Sequence, residues 1–186
     1  MATRPQTYQL FETAFGTCGI AWTDAGLTRA QLPEQNADAA HGRLQRYGAT
    51  RSDCALPAHI EDCITSLRQY FDGSPIDFQA TELDFQTVTD FNQRVYAALR
   101  SVPFGTTTTY GALARDVGSP GAAQAVGTAM ARNPWPVIVP CHRVLAAAKE
   151  IGGFSAFGGA ATKQRLLRLE GVDLDHGQSN LPGLFD

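Results

Sequence analysis

The densest chemistry in the chain lies in five residues, Pro140-Cys141-His142-Arg143-Val144. A cysteine thiolate is an intrinsically strong nucleophile, but a free thiol is only a few per cent ionised at neutral pH. A base must take its proton, and an imidazole titrates in the right range. Neighbours in sequence can share that proton only where the backbone turns sharply or a water bridges them. The chemistry on offer is nucleophilic attack by Cys141 assisted by His142. On residue types alone the commoner arrangement is a buried structural cysteine beside a surface histidine. The other cysteines are Cys18, Cys54 and Cys63, and no two of the four make a C-x-x-C pair, so neither a zinc framework nor a disulfide scaffold is indicated. Cys18 falls in a strand pattern and Cys63 on an apolar helix face, both core positions, while Cys54 reads as an idle loop thiol.

These residues need a scaffold, and the chain is long enough to supply one. It has 186 residues, 44% hydrophobic and 18% charged, with 15 Lys+Arg against 18 Asp+Glu and a net charge of −3. That suits one large domain or two small ones and excludes a disordered chain. No apolar run approaches membrane-spanning length, and the N-terminus lacks the apolar stretch of a signal peptide. With the cysteine usage, this predicts a cytoplasmic protein. Residues 1–85 carry 6 basic and 11 acidic side chains, and residues 86–186 carry 9 and 7. The mildly basic second half permits nucleic-acid contact without demanding it.

Residues 8–31 partly alternate and are broken at Gly16, Gly19 and Ala25-Gly26, which predicts antiparallel strands joined by tight turns. Residues 34–50 read as loop plus a short helix. Pro57 opens a helix with Ile60, Cys63, Ile64, Leu67, Tyr70 and Phe71 on one face, stopped at Asp72-Gly73. Residues 74–85 read as a last strand or extended link. In the second half, Phe91, Val95, Ala98 and Leu99 line a helix that ends before Pro103. Thr109 can cap a short helix to Asp116, with Gly118 as its stop. Ser119-Pro120 has the form of a helix start, an N-cap followed by proline, for a helix to about Arg132. The two short helices make a helix-turn-helix pattern. Pro136 to Pro140 is a short β-branched run, residues 152–159 are a glycine-rich loop, and 160–170 form a last helix. The expected class is α+β, with an N-terminal small antiparallel sheet plus helix over 1–85. A mostly helical domain follows over 86–175, then a mobile tail over 176–186.

From about Phe91 to Gly171 the chain resembles the O6-alkylguanine-DNA alkyltransferases, also called methylated-DNA–protein-cysteine methyltransferases. The resemblance rests on Val102-Pro-Phe-Gly105, Tyr110, Gly118-Ser-Pro120, Ala125-Val-Gly127, Asn133-Pro134, Pro-Cys141-His-Arg-Val, Gly153-Phe-Ser155 and Leu166-Leu-Arg-Leu-Glu-Gly171. It implies a ribonuclease H-like N-terminal domain and direct repair of double-stranded DNA carrying O6-alkylguanine. The helix-turn-helix would enter the minor groove, the damaged base would flip into a pocket, and Cys141 would keep the alkyl group. Each molecule would act once, without metal or cofactor. Cys141 matches the nucleophile, His142 the base acting through a water, and Glu170 the acid that orients the histidine. Asn133 matches the brace of the active-site turn, and Tyr110 a tyrosine that presses on the target nucleotide's phosphate and helps protonate the departing guanine. Val144 and Ser155 match positions whose backbone reads guanine. Phe154, Met130 and Pro136 match pocket wall, and Arg132 and Arg143 fall among the DNA contacts.

Two departures stand out. The family's second helix offers an arginine that fills the hole left by the flipped base, and this chain has Gln124, without the charge or the five-donor fork. Arg132 is about two helical turns further on and cannot take its place. Each factor of ten in rate lost this way corresponds to about 1.4 kcal/mol. The loop at 152–159 is also longer than in the human-type members by about two residues. Two other functions stay open: an alkyltransferase-like protein that binds lesions with little or no repair, and a cysteine acceptor for alkyl groups from substrates other than DNA. The terminal Asn180 to Asp186, with its Leu-Phe pair, resembles peptides that dock on sliding clamps. In a bacterium the family's place is with the nucleoid, and no membrane partner is expected.

Overall fold

The computed structural model describes residues 4–146 and 151–173. Three strands run in sequence, β1 (Gln6–Thr13), β2 (Gly16–Thr23) and β3 (Gly26–Gln31), each antiparallel to the one before. A helix α1 (Ala37–Arg46) follows, capped by the Asn36 side chain accepting from the Ala39 amide. It leads into β4 (Ala49–Arg51), which pairs with β1 in parallel, so the sheet order is β3-β2-β1-β4. The sheet is therefore mixed, not purely antiparallel: α1 provides the crossover that a parallel neighbour requires.

Central β2 is buried on both faces. Tyr8, Ala21, Leu44 and Ala49 pack on the α1 side, and Gly19 leaves room there, since a Cβ would lie 2.7 Å from Leu44 Cδ1. The other face sets Phe11, Cys18, Ile20 and Trp22 in one core with α2 (Ala58–Phe71), whose buried residues are Ile60, Cys63, Ile64, Leu67, Tyr70 and Phe71, the face read from the sequence. Residues 74–85 form no strand. They lie beside β3 through a single bridge, Leu27 with Leu83, and Gly26 (φ +129) permits this because a Cβ would lie 2.8 Å from Glu82 O. The Arg100 guanidinium donates to the Phe78, Gln79 and Thr81 carbonyls and fixes the link.

Helix α3 (Asp90–Arg100) is capped by Thr89, and α4 (Tyr110–Asp116) by Thr109, which accepts from the Ala112 amide. Gly118 (φ +71) ends α4 as expected. The next helix, α5 (Ala123–Ala131), begins later than the Ser119-Pro120 signal suggests. Gly121 at φ +92 breaks the right-handed run, so Ser119 and Pro120 lie in the turn of the helix-turn-helix. The run 136–140 is a tight buried turn, with Val137 at φ +75 and the Val139 amide donating to Trp135 O at 2.7 Å. A 3₁₀ turn, Cys141–Arg143, leads into β6 (Val144–Leu145), parallel to β5 (Thr108–Thr109). The last helix is α6 (Gly159–Leu169). Among the described residues no helix is long and apolar enough to cross a membrane. The tail 176–186 and the clamp-docking reading lie outside the described residues.

The two halves share one core, continuous from Phe11 to Leu166. The Ala30 amide donates to Pro134 O at 2.9 Å, and Trp135 Nε1, fully buried, donates to Leu27 O at 2.8 Å. Phe85 and Tyr96 stand edge-on to the indole. Trp135→Phe should cost about 2 kcal/mol, because it removes a buried hydrogen bond, leaving the Leu27 carbonyl with the Asp84 amide alone, and opens a small void. In urea titrations the midpoint should fall while both halves still unfold in one transition; two separated transitions in the wild type would contradict the shared core.

Candidate active site

Cys141 opens the 3₁₀ turn, and the turn sets its neighbours apart instead of lining them along a strand. Its amide donates to Val139 O at 2.8 Å. Asn133 spans the turn before it, with Nδ2 donating to Val139 O at 2.8 Å and Oδ1 accepting from the Trp135 amide at 2.9 Å. Val137, a β-branched residue in the left-handed region, is held there at a strain of about 1–3 kcal/mol by these bonds and its burial.

Glu170 collects the other side chains. It is the C-cap of α6, 4% exposed, and Gly171 (φ +74) turns the chain away behind it. Its Oε1 accepts from Tyr70 OH at 2.6 Å, His142 Nε2 at 2.7 Å and Arg143 Nη2 at 2.9 Å. Its Oε2 accepts from Arg143 Nε at 2.9 Å and the Gly105 amide at 3.1 Å. Arg143 Nη1 reaches Val102 O at 2.5 Å, so the Val102–Gly105 segment cradles the acid and the guanidinium together. Gly105 (φ +73) has no room for a side chain, since a Cβ would lie 3.0 Å from Glu170 O.

Burial pushes the Glu170 carboxyl up, but hydrogen bonds from His142, Arg143 and Tyr70 outweigh it and hold the group at about 2. Burial pulls His142 below its ordinary value against the upward pull of Glu170, with Arg143 and Lys163 adding to the fall. The imidazole is thus a neutral base at neutral pH, with Nε2 committed to Glu170. Its Nδ1 is buried and has no hydrogen-bond partner among the described residues. Burial raises the Cys141 thiol, while Asn133, the Lys163 charge and the backbone amides of Cys141 and His142 offset part of the rise. At neutral pH the thiol and the imidazole are therefore both neutral.

Over Cys141 lies a cavity of about 330 Å³ lined by Tyr110, Met130, Phe154 and Ser155, with Gly127, Ala131 and Gly153. That volume falls in the range of small-ligand sites. A larger cavity of about 840 Å³ between β1 and α2 contains no thiol and is not lined by any residue of this network. Among the described residues no cluster of His, Cys, Asp and Glu could hold a metal ion.

Comparison with known proteins identifies the family of the whole chain. Residues 7–85 match the ribonuclease-like domain of 6-O-methylguanine DNA methyltransferase, and residues 90–172 match its DNA binding domain. The chain belongs to the 6-O-methylguanine DNA methyltransferase family. The methylated-DNA–protein-cysteine methyltransferase of Mycobacterium tuberculosis H37Rv is 44% identical over 164 residues, 88% of this chain and 91% of that one. The protein of that name from Methanothermobacter thermautotrophicus is 34% identical over 157 residues, 84% of this chain and 81% of the relative. A crystal structure of Mycobacterium tuberculosis OGT in complex with DNA superposes with a TM-score of 0.71 at 35% identity, covering 88% of this chain and 92% of that one. The enzyme class that goes with the family is methylated-DNA–protein-cysteine methyltransferase.

The site residues expected of a methyltransferase of this family divide into three groups. Cys141 and His142 share the 3₁₀ turn, with Asn133 bracing the turn before it and Glu170 hydrogen-bonded to His142, and Tyr110, Met130, Phe154 and Ser155 form the cavity wall. Gln124 and Arg132 lie exposed at opposite ends of α5. Three placements differ from expectation. Arg143, expected at the DNA, is 5% exposed and spends its guanidinium on Glu170 and Val102 O. Pro136, expected in the cavity wall, lies in the turn beside Val139 and does not line the cavity. The Val144 carbonyl already accepts from Lys163 Nζ at 2.6 Å. Lys163 escaped the sequence reading. It is fully buried, and its charge acts on Cys141. The signal was present: Lys163, Leu166, Leu167 and Glu170 recur at helical spacing on one inward face of α6.

Two groups tie stability to pH in the same direction. His142 is depressed, so the unfolded chain takes up a proton below 6.5 that the folded one refuses. Glu170, at about 2 when folded against 4.5 otherwise, contributes stability that is full above 4.5 and is lost as pH falls toward 2. Unfolding midpoints in urea should therefore decline below pH 6.5 and more steeply below 4.5. Glu170→Gln should be less stable at pH 7 and should lose less than the wild type between pH 4.5 and pH 2, the remainder coming from other depressed carboxylates such as Asp84.

Proposed function

We propose that this protein repairs O6-alkylguanine in DNA by transferring the alkyl group irreversibly to Cys141, once per molecule. The observation that carries the reading is Cys141 at the floor of a cavity flanked by a helix-turn-helix, next to a buried His142 that is hydrogen-bonded to Glu170. DNA as partner is supported by family membership and by the Mycobacterium tuberculosis OGT structure, which was solved with DNA.

In the proposed reaction α5 enters the minor groove, and the lesion leaves the base stack for the cavity lined by Met130, Phe154 and Ser155. Backbone groups of Val144 and Ser155 read the guanine edge, Ser155 from the cavity wall. Tyr110 presses on the phosphate of the flipped nucleotide. As Cys141 Sγ attacks the alkyl carbon, the thiol proton passes through a water to His142 Nδ1, the nitrogen that Glu170 leaves available. The S–C bond forms, the C–O6 bond breaks, and the bonding pair leaves with the guanine, which is protonated with the help of Tyr110. Asn133 holds the turn in place throughout. Lys163, buried and cationic, favours the sulfur's transient negative charge. Arg132 lies where it can meet a phosphate, and Gln124 occupies the position from which the base-stack hole is filled. No other acceptor or cofactor is required.

Incubation with duplex DNA containing O6-methylguanine should raise the intact protein mass by about 14 Da, and Cys141→Ser should show no gain. Lesion binding without any gain in mass would instead support the lesion-binding alternative. No binding even at low salt would point to an acceptor for substrates other than DNA. Gln124→Arg should accelerate transfer roughly tenfold, equivalent to about 1.4 kcal/mol of barrier, without changing the final mass. Equal single-turnover rates would show that the glutamine fills the helix gap as well as an arginine does.

A further inference from the structure

The proposed relay is not confined to the C-terminal half. Tyr70 stands in the last turn of α2, fully buried, at the end of an otherwise apolar face. Its ring packs edge-on to Phe71, Phe78 and Phe104 at centroid distances of 5.3, 6.0 and 5.9 Å. A phenylalanine would fill that place equally well. The hydroxyl is therefore not needed for packing, and burying it is costly unless it is bonded.

It is bonded twice, at the centre of the site. The hydroxyl lies 2.6 Å from Glu170 Oε1 and 3.2 Å from His142 Nε2. An ionised carboxylate only accepts, so the single hydroxyl proton goes to Glu170. The phenol oxygen then offers His142 a lone pair. With Glu170 Oε1 2.7 Å from the same nitrogen, two acceptors face Nε2, which must carry the ring proton and leave Nδ1 free. Every charged or titratable group facing this carboxylate is accounted for: Arg143 and His142 from the 3₁₀ turn, and Tyr70 from α2, with Cys141 and Lys163 acting on the histidine and thiol from nearby.

We infer that Tyr70 is a positioning residue through which the N-terminal half completes the relay, holding Glu170 against His142 and taking up part of the carboxylate's charge so that the imidazole stays a neutral base. The inference rests on the Cys141–His142–Glu170 relay proposed above. Tyr70 itself remains a neutral donor, because burial first, and Glu170 next, raise its hydroxyl well above the ordinary phenol value. Without the hydroxyl, Glu170 has one donor fewer and binds the imidazolium more tightly, so the base becomes protonated at a higher pH.

The test is single-turnover methyl transfer by full-length wild type and Tyr70→Phe, across DNA concentration and pH. Amplitude counts folded molecules, the rate constant at saturating DNA reports the chemistry, and the half-saturating DNA concentration reports binding. Tyr70→Phe should keep full amplitude and unchanged half-saturation. The acid limb of its pH–rate profile should move upward, and the rate at pH 6 should fall roughly fivefold. Superimposable profiles would overturn the inference. So would amplitude lost in step with the melting transition at an unchanged rate constant, which would reduce Tyr70 to a core residue. If the wild type takes up no methyl group, the proposed function fails, and the nitrogen-15 titration of His142 decides the inference separately: a higher midpoint in Tyr70→Phe supports it, and an unmoved midpoint overturns it.

Discussion

A carboxylate withdrawn from water must be given hydrogen-bond donors in its place, and the structure around Glu170 meets that demand from three other parts of the chain. Tyr70 comes from α2, Gly105 from the loop after α3, His142 and Arg143 from the 3₁₀ turn, and the acid itself from the end of α6. Losing any one donor leaves a buried charge short of partners, which costs more than the bond itself contributes. The need to satisfy one buried anion therefore fixes where three helices and the reactive turn end relative to each other.

The same constraint explains the charge balance. Arg143 already neutralises Glu170, so the acid can orient His142 without forcing it to become an imidazolium. The arginine in the Pro-Cys-His-Arg-Val motif is thus an internal counter-ion, and its reach to the Val102 carbonyl fixes both ends of the guanidinium. Lys163 supplies a second buried cation, tied to the Val144 carbonyl, whose charge acts on the Cys141 thiol. The thiol thus has a neutral imidazole as its chain neighbour and a buried positive charge acting on it, which lowers the cost of a negative charge on the sulfur.

Much of this was legible in the sequence where a local rule governs. The inward face of α2, the Thr109 cap and the Gly118 stop follow from periodicity and capping alone, and the structure reproduces them. Cys141, His142, Glu170 and Asn133 could be named because their motif could be compared with a known family. The misplaced residues depend on contacts that no local pattern records. Arg143 reads as a DNA contact until Glu170, 27 residues away, is seen to occupy its guanidinium. Ser119-Pro120 carries a valid start signal that the left-handed Gly121 overrides. β4 is three residues long and becomes a strand only because β1 is beside it. Lys163 looks like an ordinary helix lysine unless its face is followed down to Glu170.

The bond from Trp135 to Leu27 joins residues 108 positions apart, and the Ala30 amide likewise waits for Pro134. Synthesis proceeds from the N-terminus, so the first three strands leave the ribosome well before their partners at 134–135 exist. Through that interval the Ala30 end of β3 has an unpaired amide and the sheet's apolar face lacks its C-terminal cover, features by which nascent chains associate with one another. The growing polypeptide passes through a stage in which that surface is open, and the stage ends only when Pro134 and Trp135 arrive to cover it.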